Sequence, residues 1–182
     1  MKLKDKILKL ISYARYHKAI QEYINDGINS RGTIFSYNAF IKEIVDFDFS
    51  KSPNFNNMFQ YCTGVERIVI DNHIATGYSA AFRNCSSLKS LKTIDMTTVS
   101  ATSEWLKGCD NLEELFFVPN SIWNVLIIPC PKLNDESIQS IIDGLRHKVS
   151  AEPYNITLAA EVTSRITDDQ WQQIWDKNWN VI

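Results

Sequence analysis

Apolar residues recur along the middle of the chain in a frame anchored on the cysteines. Each cysteine has an apolar residue three positions before it and another three positions after it. The four frames are Phe59…Cys62…Val65, Phe82…Cys85…Leu88, Leu106…Cys109…Leu112 and Ile127…Cys130…Leu133. Successive cysteines are 23, 24 and 21 residues apart, so the pattern is an internal repeat.

A repeat of about 20–29 residues with this apolar pattern is typical of a leucine-rich-repeat solenoid with a parallel β-sheet. Beyond each of the first three frames the apolar series runs into a short strand: Ile68–Ile70, Leu91–Ile94 with a slip of one residue, and Leu115–Phe117. The Phe/Leu-x-x-Cys segment then forms the turn on the opposite side. The predicted repeat core is Phe59, Cys62, Phe82, Cys85, Leu88, Leu91, Cys109, Leu112, Leu115 and Cys130.

The four cysteines allow several interpretations. Their even number permits a disulfide framework, but equivalent positions lie one repeat apart. Zinc sites use close pairs of cysteines, and the shortest spacing here is 21 residues. A catalytic nucleophile is a third option, although nothing distinguishes one cysteine from the others. We favour buried free thiols that stack from one repeat to the next.

The remaining segments are predicted to cap the solenoid, so the fold class is α/β. Residues 1–50 form a helical module, with an apolar stripe between Ile7 and Ile24 and a second helix over Thr33–Ile44 that turns Phe40, Ile41 and Ile44 inward. Residues 51–133 form the repeats. Residues 134–182 form a helix-strand-helix-strand cap.

Several local signals define this cap. Asn134 precedes a helix over Asp135–Arg146, and Asn155–Ala160 is a strand. Thr167 and Gln170 form a capping box before a helix whose apolar face is Trp171, Ile174 and Trp175. Asn178 is suited to a left-handed turn before a last strand, Trp179–Ile182.

The segment Phe-x-x-Cys-Ser-Ser-Leu-Lys-Ser-Leu at Phe82 to Leu91 resembles the bacterial surface-antigen (BspA-like) leucine-rich repeats. The resemblance spans about Met58–Leu133 and departs around Val118–Ile128. The end of the chain, with Asn155-Ile-Thr-Leu158, Ile166-Thr167 and Lys177-Asn-Trp179, resembles a module that closes leucine-rich-repeat proteins of tailed bacteriophages. The run Ile20–Ile44 is similar to a short helical module of phage tail-associated proteins.

Composition and motifs narrow the function classes. A formal net charge of -2 gives no electrostatic case for binding nucleic acid, and no apolar run is long enough to insert into a membrane. Six basic residues among the first 18 fit either a solvated helix face or a helix that docks on an acidic partner. The first residues lack the apolar core of a signal peptide, so we expect synthesis in the host cytoplasm without export by that route. No catalytic constellation, metal site or cofactor-binding motif is found, and we expect a protein that is not an enzyme.

Aromatic residues are the candidates for a binding surface. Tyr61, Tyr78, Phe116 and Trp123 are predicted to contact a partner, with Phe116 pointing outward because Leu115 and Phe117 share the parity of the core. Covering the solenoid is the competing role for all four. Trp105 is expected to be partly exposed.

The resemblances imply a phage virion protein of the tail or a peripheral appendage. Its expected partners are other proteins, first of all virion components, with a homo-oligomer as a further option. The alternative is an intracellular protein-binding module, such as a phage-encoded inhibitor of a host factor. A secreted adhesin ranks third.

Overall fold

The chain is an α/β protein with two parallel sheets and few helices. A computed structural model describes residues 17–22, 35–52, 54–70 and 75–182. Sheet 1 contains, in spatial order, β1 (Glu43–Ile44), β2 (Arg67–Val69), β3 (Ser90–Ile94) and β4 (Glu114–Phe117). Sheet 2 contains β5 (Leu126–Ile128), β6 (Tyr154–Leu158) and β7 (Trp179–Val181). The helices are α1 (Asp135–Gly144), α2 (Ala160–Thr163) and α3 (Asp168–Asp176), and residues 17–22 are also helical.

Sheet 1 stacks equivalent residues of successive repeats. Ile44 pairs with Ile68, Ile68 with Leu91, and Leu91 with Leu115, and all four side chains are fully buried. The register shifts between Leu91 and Ile94, as the sequence predicts. The three predicted strands are therefore confirmed, each beginning one residue earlier than expected.

A second ladder of hydrogen bonds joins the repeats on the opposite side. We call it the turn ladder; it consists of residues 56–61, 79–84 and 103–108. The amide of Phe59 donates to the carbonyl of Ala81 (2.9 Å), and the amide of Phe82 donates to the carbonyl of Trp105 (2.9 Å). The repeats that contain Cys62, Cys85 and Cys109 are thus fixed to one another along two lines, the sheet and the turns.

The cysteines lie between these two ladders. All four are free and buried, as predicted. The thiols of Cys62, Cys85 and Cys109 approach backbone carbonyls of the preceding repeat, those of Phe35 (2.7 Å), Phe59 (3.0 Å) and Phe82 (3.0 Å). The other predicted core residues are also buried: Phe59, Phe82, Leu88, Leu91, Leu112, Leu115 and Cys130.

The predicted helix over Thr33–Ile44 is wrong in the part that the structure describes. Residues 35–37 form a turn, Ile44 lies in β1, and Phe40 is 92% exposed instead of inward. The series Phe35…Asn38…Ile41…Ile44 follows the repeat frame with asparagine in the place of cysteine. Sheet 1 therefore begins inside the segment assigned to the N-terminal helical module. Of the apolar stripe between Ile7 and Ile24, only residues 17–22 are described, and Ile20 is buried there.

Helix α1 ends sheet 1. It begins after Asn134, whose side chain accepts from the amide of Ser137, and it stops at Gly144, two residues before the predicted end. The hydroxyls of Ser137 and Ser140 accept from the amides of Leu115 and Phe117, each at 2.9 Å. Two donors on the open side of β4 are thereby satisfied by side chains where a further strand would otherwise pair.

The rest of the C-terminal segment follows the prediction with three exceptions. The Thr167–Gln170 capping box is present, and Asn178 has a φ of 62°. Trp175, however, is 56% exposed, because Ile174 occupies the buried side of α3. The second exception is β5: it pairs with β6, so the segment before residue 134 shares a sheet with the predicted cap. The third is α2, which was not predicted: the strand predicted over Asn155–Ala160 ends at Leu158, and the helix begins at Ala160.

Within the described residues, no helix is long and apolar enough to cross a membrane.

Candidate protein-binding surface

The outward side of sheet 1 carries a mixed group of charged and apolar side chains. We define this outward face by Arg67, Val69, Lys92, Glu114 and Phe116. Strand β4 shows how this face arises, because its side chains alternate between the two sides of the sheet. Leu115 and Phe117 are buried, whereas Glu114 and Phe116 are partly exposed. Phe116 therefore points away from the core, as its parity predicts.

Lys92 connects the two outward residues of β4. Its ammonium lies 2.9 Å from a carboxylate oxygen of Glu114 and 5.2 Å from the centre of the Phe116 ring. The hydroxyl of Ser90 donates to the same Glu114 oxygen at 2.7 Å. These contacts hold the Phe116 ring beside a fixed charge, which is a suitable arrangement for recognising a protein surface.

A second charge cluster borders the outward face. Glu66 lies 3.0 Å from the ammonium of Lys89 and 3.6 Å from that of Lys42. The pKa of Glu66 is lowered by the hydrogen bond and the charge of Lys89, and that of Glu114 by hydrogen bonds from Ser90 and Lys92. Both carboxylates are therefore ionised at neutral pH and act as fixed negative charges. Such groups suit binding better than proton transfer.

Tyr78 is not part of any surface. It is fully buried, with its ring 5.3 Å from Phe55 and 6.1 Å from Trp105. Burial raises the pKa of its hydroxyl well above the ordinary value. Its predicted role as a binding residue is wrong because the position faces the core of its repeat. Trp105 was expected to be partly exposed and is also buried, with its ring packed against Tyr78 and Phe82. Its indole N–H donates to the carbonyl of Ile127 at 2.7 Å.

Tyr61 and Trp123 are partly exposed but lie away from the outward face. Tyr61 belongs to the turn ladder and stacks on Tyr37, with 4.9 Å between the ring centres. Trp123 lies between β4 and β5 and lines a narrow cavity with Met96, Val99 and Leu126. Of the four predicted binding residues, only Phe116 is thus found on the outward face. Its neighbours Lys92 and Glu114 were missed, although the alternation that identifies Phe116 also exposes them.

The thiols are core groups in their chemistry as well as in their position. Burial raises the pKa of Cys62 to about 11. The pKa of Cys85 is raised by its contact with Cys109 and by burial, and that of Cys130 by burial. These three thiols are therefore protonated at neutral pH, which does not fit a nucleophile. Among the described residues, no three His, Cys, Asp or Glu side chains are grouped so that they could hold a metal ion.

Comparison with known proteins gave no match to a family model, to a curated protein or to a solved structure.

Proposed function

We propose that this chain is a non-enzymatic protein-binding module, built as a short leucine-rich-repeat solenoid, that uses the outward face of sheet 1. The observation that carries the proposal is the pairing of four parallel strands at steps of one repeat, which brings Arg67, Lys92, Glu114 and Phe116 onto one rigid surface. Stacked repeats commonly provide preformed surfaces of this kind for macromolecules.

Three features support the solenoid. Equivalent residues pair in the sheet, the turn ladder joins the same repeats on the other side, and the thiols connect consecutive repeats. Asn38 in the place of a cysteine also fits, because leucine-rich repeats accept asparagine or cysteine at one position of their pattern. Helix α1 then serves as the cap that such a stack requires.

For the biological setting we propose a component of a tailed-phage particle, in the tail or a peripheral appendage. The support is the resemblance of the closing segment to the module that closes leucine-rich-repeat proteins of tailed bacteriophages. The alternative is an intracellular module that binds and inhibits a host factor. Both roles require a partner protein on the same face. They differ in where the protein is found, in the phage particle or only inside the host cell.

Photo-crosslinking tests the binding surface. The full chain is produced in its source host with a benzophenone amino acid in place of Phe116, and in a matched control in place of Val149, which is 94% exposed and lies outside sheet 1. We expect a discrete crosslinked protein from position 116 and none from position 149. Equal crosslinking at both positions, or none at position 116, would contradict the proposed surface.

Mass spectrometry of purified particles tests the setting. A virion component is recovered in a fixed ratio to the major capsid protein. Recovery from the infected-cell lysate alone would reject the virion role and leave the intracellular alternative.

A further inference from the structure

Helix α3 exposes an aromatic surface that its own packing does not require. Ile174 is almost fully buried and holds the helix on the core, and Trp171 packs partly against that core. The ring of Trp175 stacks on that of Trp171, with 5.8 Å between the ring centres and 25° between the planes. Trp171 thus supports Trp175 from one side, while more than half of the Trp175 side chain is open to solvent.

Polar side chains accompany the two rings. Four residues share one side of α3 because they stand at positions i, i+3, i+4 and i+7 of the helix: Asp168, Trp171, Gln172 and Trp175. The side-chain amide of Gln172 donates to a carboxylate oxygen of Asp176 at 2.8 Å, which draws this carboxylate toward the same side. We call these five residues the tryptophan face.

The charge of Asp176 is not explained by the helix itself. Asp176 is the last residue of α3, and the last turn contains no basic residue. The C-terminal end of a helix carries a partial negative charge, so a carboxylate is unfavourable there, whereas Asp168 and Asp169 at the other end are favourable. Among the described residues, no ion pair includes any of these three carboxylates.

The basic residues that flank α3 in the chain are engaged elsewhere. The ammonium of Lys177 donates to the carbonyls of Ile142 at 2.8 Å and Asp143 at 3.1 Å. The guanidinium of Arg165 pairs with Asp135 at 3.0 Å. A cation for the tryptophan face is therefore expected from another molecule. Arginine fits best, because its guanidinium stacks on aromatic rings and also donates to carboxylates through a fork of N–H groups.

We propose that the tryptophan face binds an arginine-bearing segment of a partner protein. One guanidinium lies on the open side of the Trp175 ring and donates to Asp176, and a second basic residue of the segment contacts Asp168 in the first turn of α3. Two copies of this face do not suit each other, because their carboxylates would repel. The assignment rests on the proposed protein-binding function and adds to it a second site, outside sheet 1.

Titration of the full chain with short peptides tests the recognition of charge. The probe is acetylated and amidated tetra-arginine, and tetra-citrulline is the neutral control of the same shape. The indole N–H signals are followed by NMR, and that of Trp175 is assigned by its loss in Trp175→Ala. We expect tetra-arginine to shift the Trp175 signal and to leave that of the buried Trp105 in place. Equal shifts with tetra-citrulline, or none with tetra-arginine, would overturn the proposal.

Variants locate the contact on α3. Trp175→Ala removes the ring and Asp176→Asn removes the charge, and each should weaken the binding of tetra-arginine about threefold or more. Phe40→Ala and Asp110→Asn are the matched controls, because Phe40 is 92% exposed and Asp110 is exposed in a repeat turn, both outside α3. Equal losses in Asp176→Asn and Asp110→Asn would show attraction by net charge alone and would reject the tryptophan face.

Crosslinking identifies the occupant. A benzophenone amino acid replaces Asp169, which borders the tryptophan face and is not part of it, and the chain is produced in its source host. We expect the crosslinked fragment to come from another protein, to contain arginine and to be lost in Asp176→Asn. A fragment from residues 1–16 of this chain, a segment rich in lysine, would show that a second copy is the occupant and would overturn the assignment.

The outcomes separate the two proposals. If tetra-arginine does not bind while position 116 still crosslinks a partner, the tryptophan face is rejected and the outward face of sheet 1 stands. If tetra-arginine binds as expected while position 116 gives no crosslink, the outward face of sheet 1 is rejected and the site on α3 stands.

Discussion

Left-handed backbone recurs at fixed places in the repeat, two residues before and two residues after the apolar residue that opens each frame. The positions are Asn57, Tyr61, Ala80, Asn84, Glu104 and Gly108, with φ between 51° and 77°. Only Gly108 is a glycine, and there the neighbouring turn explains it: a Cβ atom would lie 2.4 Å from the side-chain oxygen of Asn84. The turn therefore depends on its ladder bonds and not on glycine at every left-handed position.

Thr93 has a φ of 64° at the point where the register of β3 and β4 shifts. A β-branched residue is strained in this region, at a cost of about 1–3 kcal/mol, whereas glycine is not. We expect Thr93→Gly to raise the free energy of unfolding by about 1 kcal/mol in urea titrations, after the entropic cost of glycine of about 0.5–1 kcal/mol. Thr63→Gly is the control at an exposed position without positive φ and should destabilise. A loss of stability in Thr93→Gly would contradict the strain.

The hydroxyl of Tyr78 is buried and has no hydrogen-bond partner among the described residues. An unsatisfied buried hydroxyl costs about 1–3 kcal/mol, so its removal in Tyr78→Phe should raise the midpoint of thermal unfolding. Tyr61→Phe removes the same atom from a partly exposed ring and should leave the midpoint unchanged. If Tyr78→Phe is less stable than the wild type, the hydroxyl has a partner, such as a buried water.

At the scale of elements, the sequence predicts the strands of sheet 1 that follow a cysteine frame and misses β1, which follows none. β1 belongs to the frame Phe35…Asn38…Ile41…Ile44, in which asparagine replaces the anchor of the search. The same spacing of three residues is also a helical period, so an isolated frame is read as a helix. Only the pairing of Ile44 with Ile68 decides between the two.

The sequence does not predict the composition of sheet 2, for a different reason. Two of its strands are readable, because β6 and β7 follow turn and capping signals. The pairing of β6 with β5 is a contact between segments that are about 30 residues apart, and nothing in either pattern specifies it.

The junction of α1 with sheet 1 depends on two serines. The amide of Leu115 is buried and donates to the hydroxyl of Ser137. We expect Ser137→Ala to lower the free energy of unfolding by about 1–3 kcal/mol, because the buried donor then has no acceptor. Ser86→Ala, at an exposed position in a turn, is the control and should change the stability little. Equal stabilities of the two variants in chemical denaturation would show that α1 is held by its apolar side alone.

At the scale of the whole molecule, the repeats share one continuous core with the closing segment. Fully or almost fully buried residues run from Ile44 in β1 through the cysteines to Ile138, Ile141 and Trp179. Repeats that contact only their neighbours are stable as a group and depend on the elements at their ends. The C-terminal segment is therefore expected to be a condition for the folding of sheet 1.

Truncation tests this dependence. A chain of residues 1–133 lacks α1, so the amides of Leu115 and Phe117 lose their acceptors. The apolar side of sheet 1 that α1 covers also becomes exposed to solvent. We expect this chain to lose its cooperative thermal transition and to associate, as followed by circular dichroism and size-exclusion chromatography. A chain of residues 1–177 keeps α1 and loses only β7, so it should still unfold cooperatively, at a lower temperature. A cooperative 1–133 chain with the midpoint of the full protein would show that the repeats form a unit that needs no cap, since each repeat would then be stabilised by its neighbours alone.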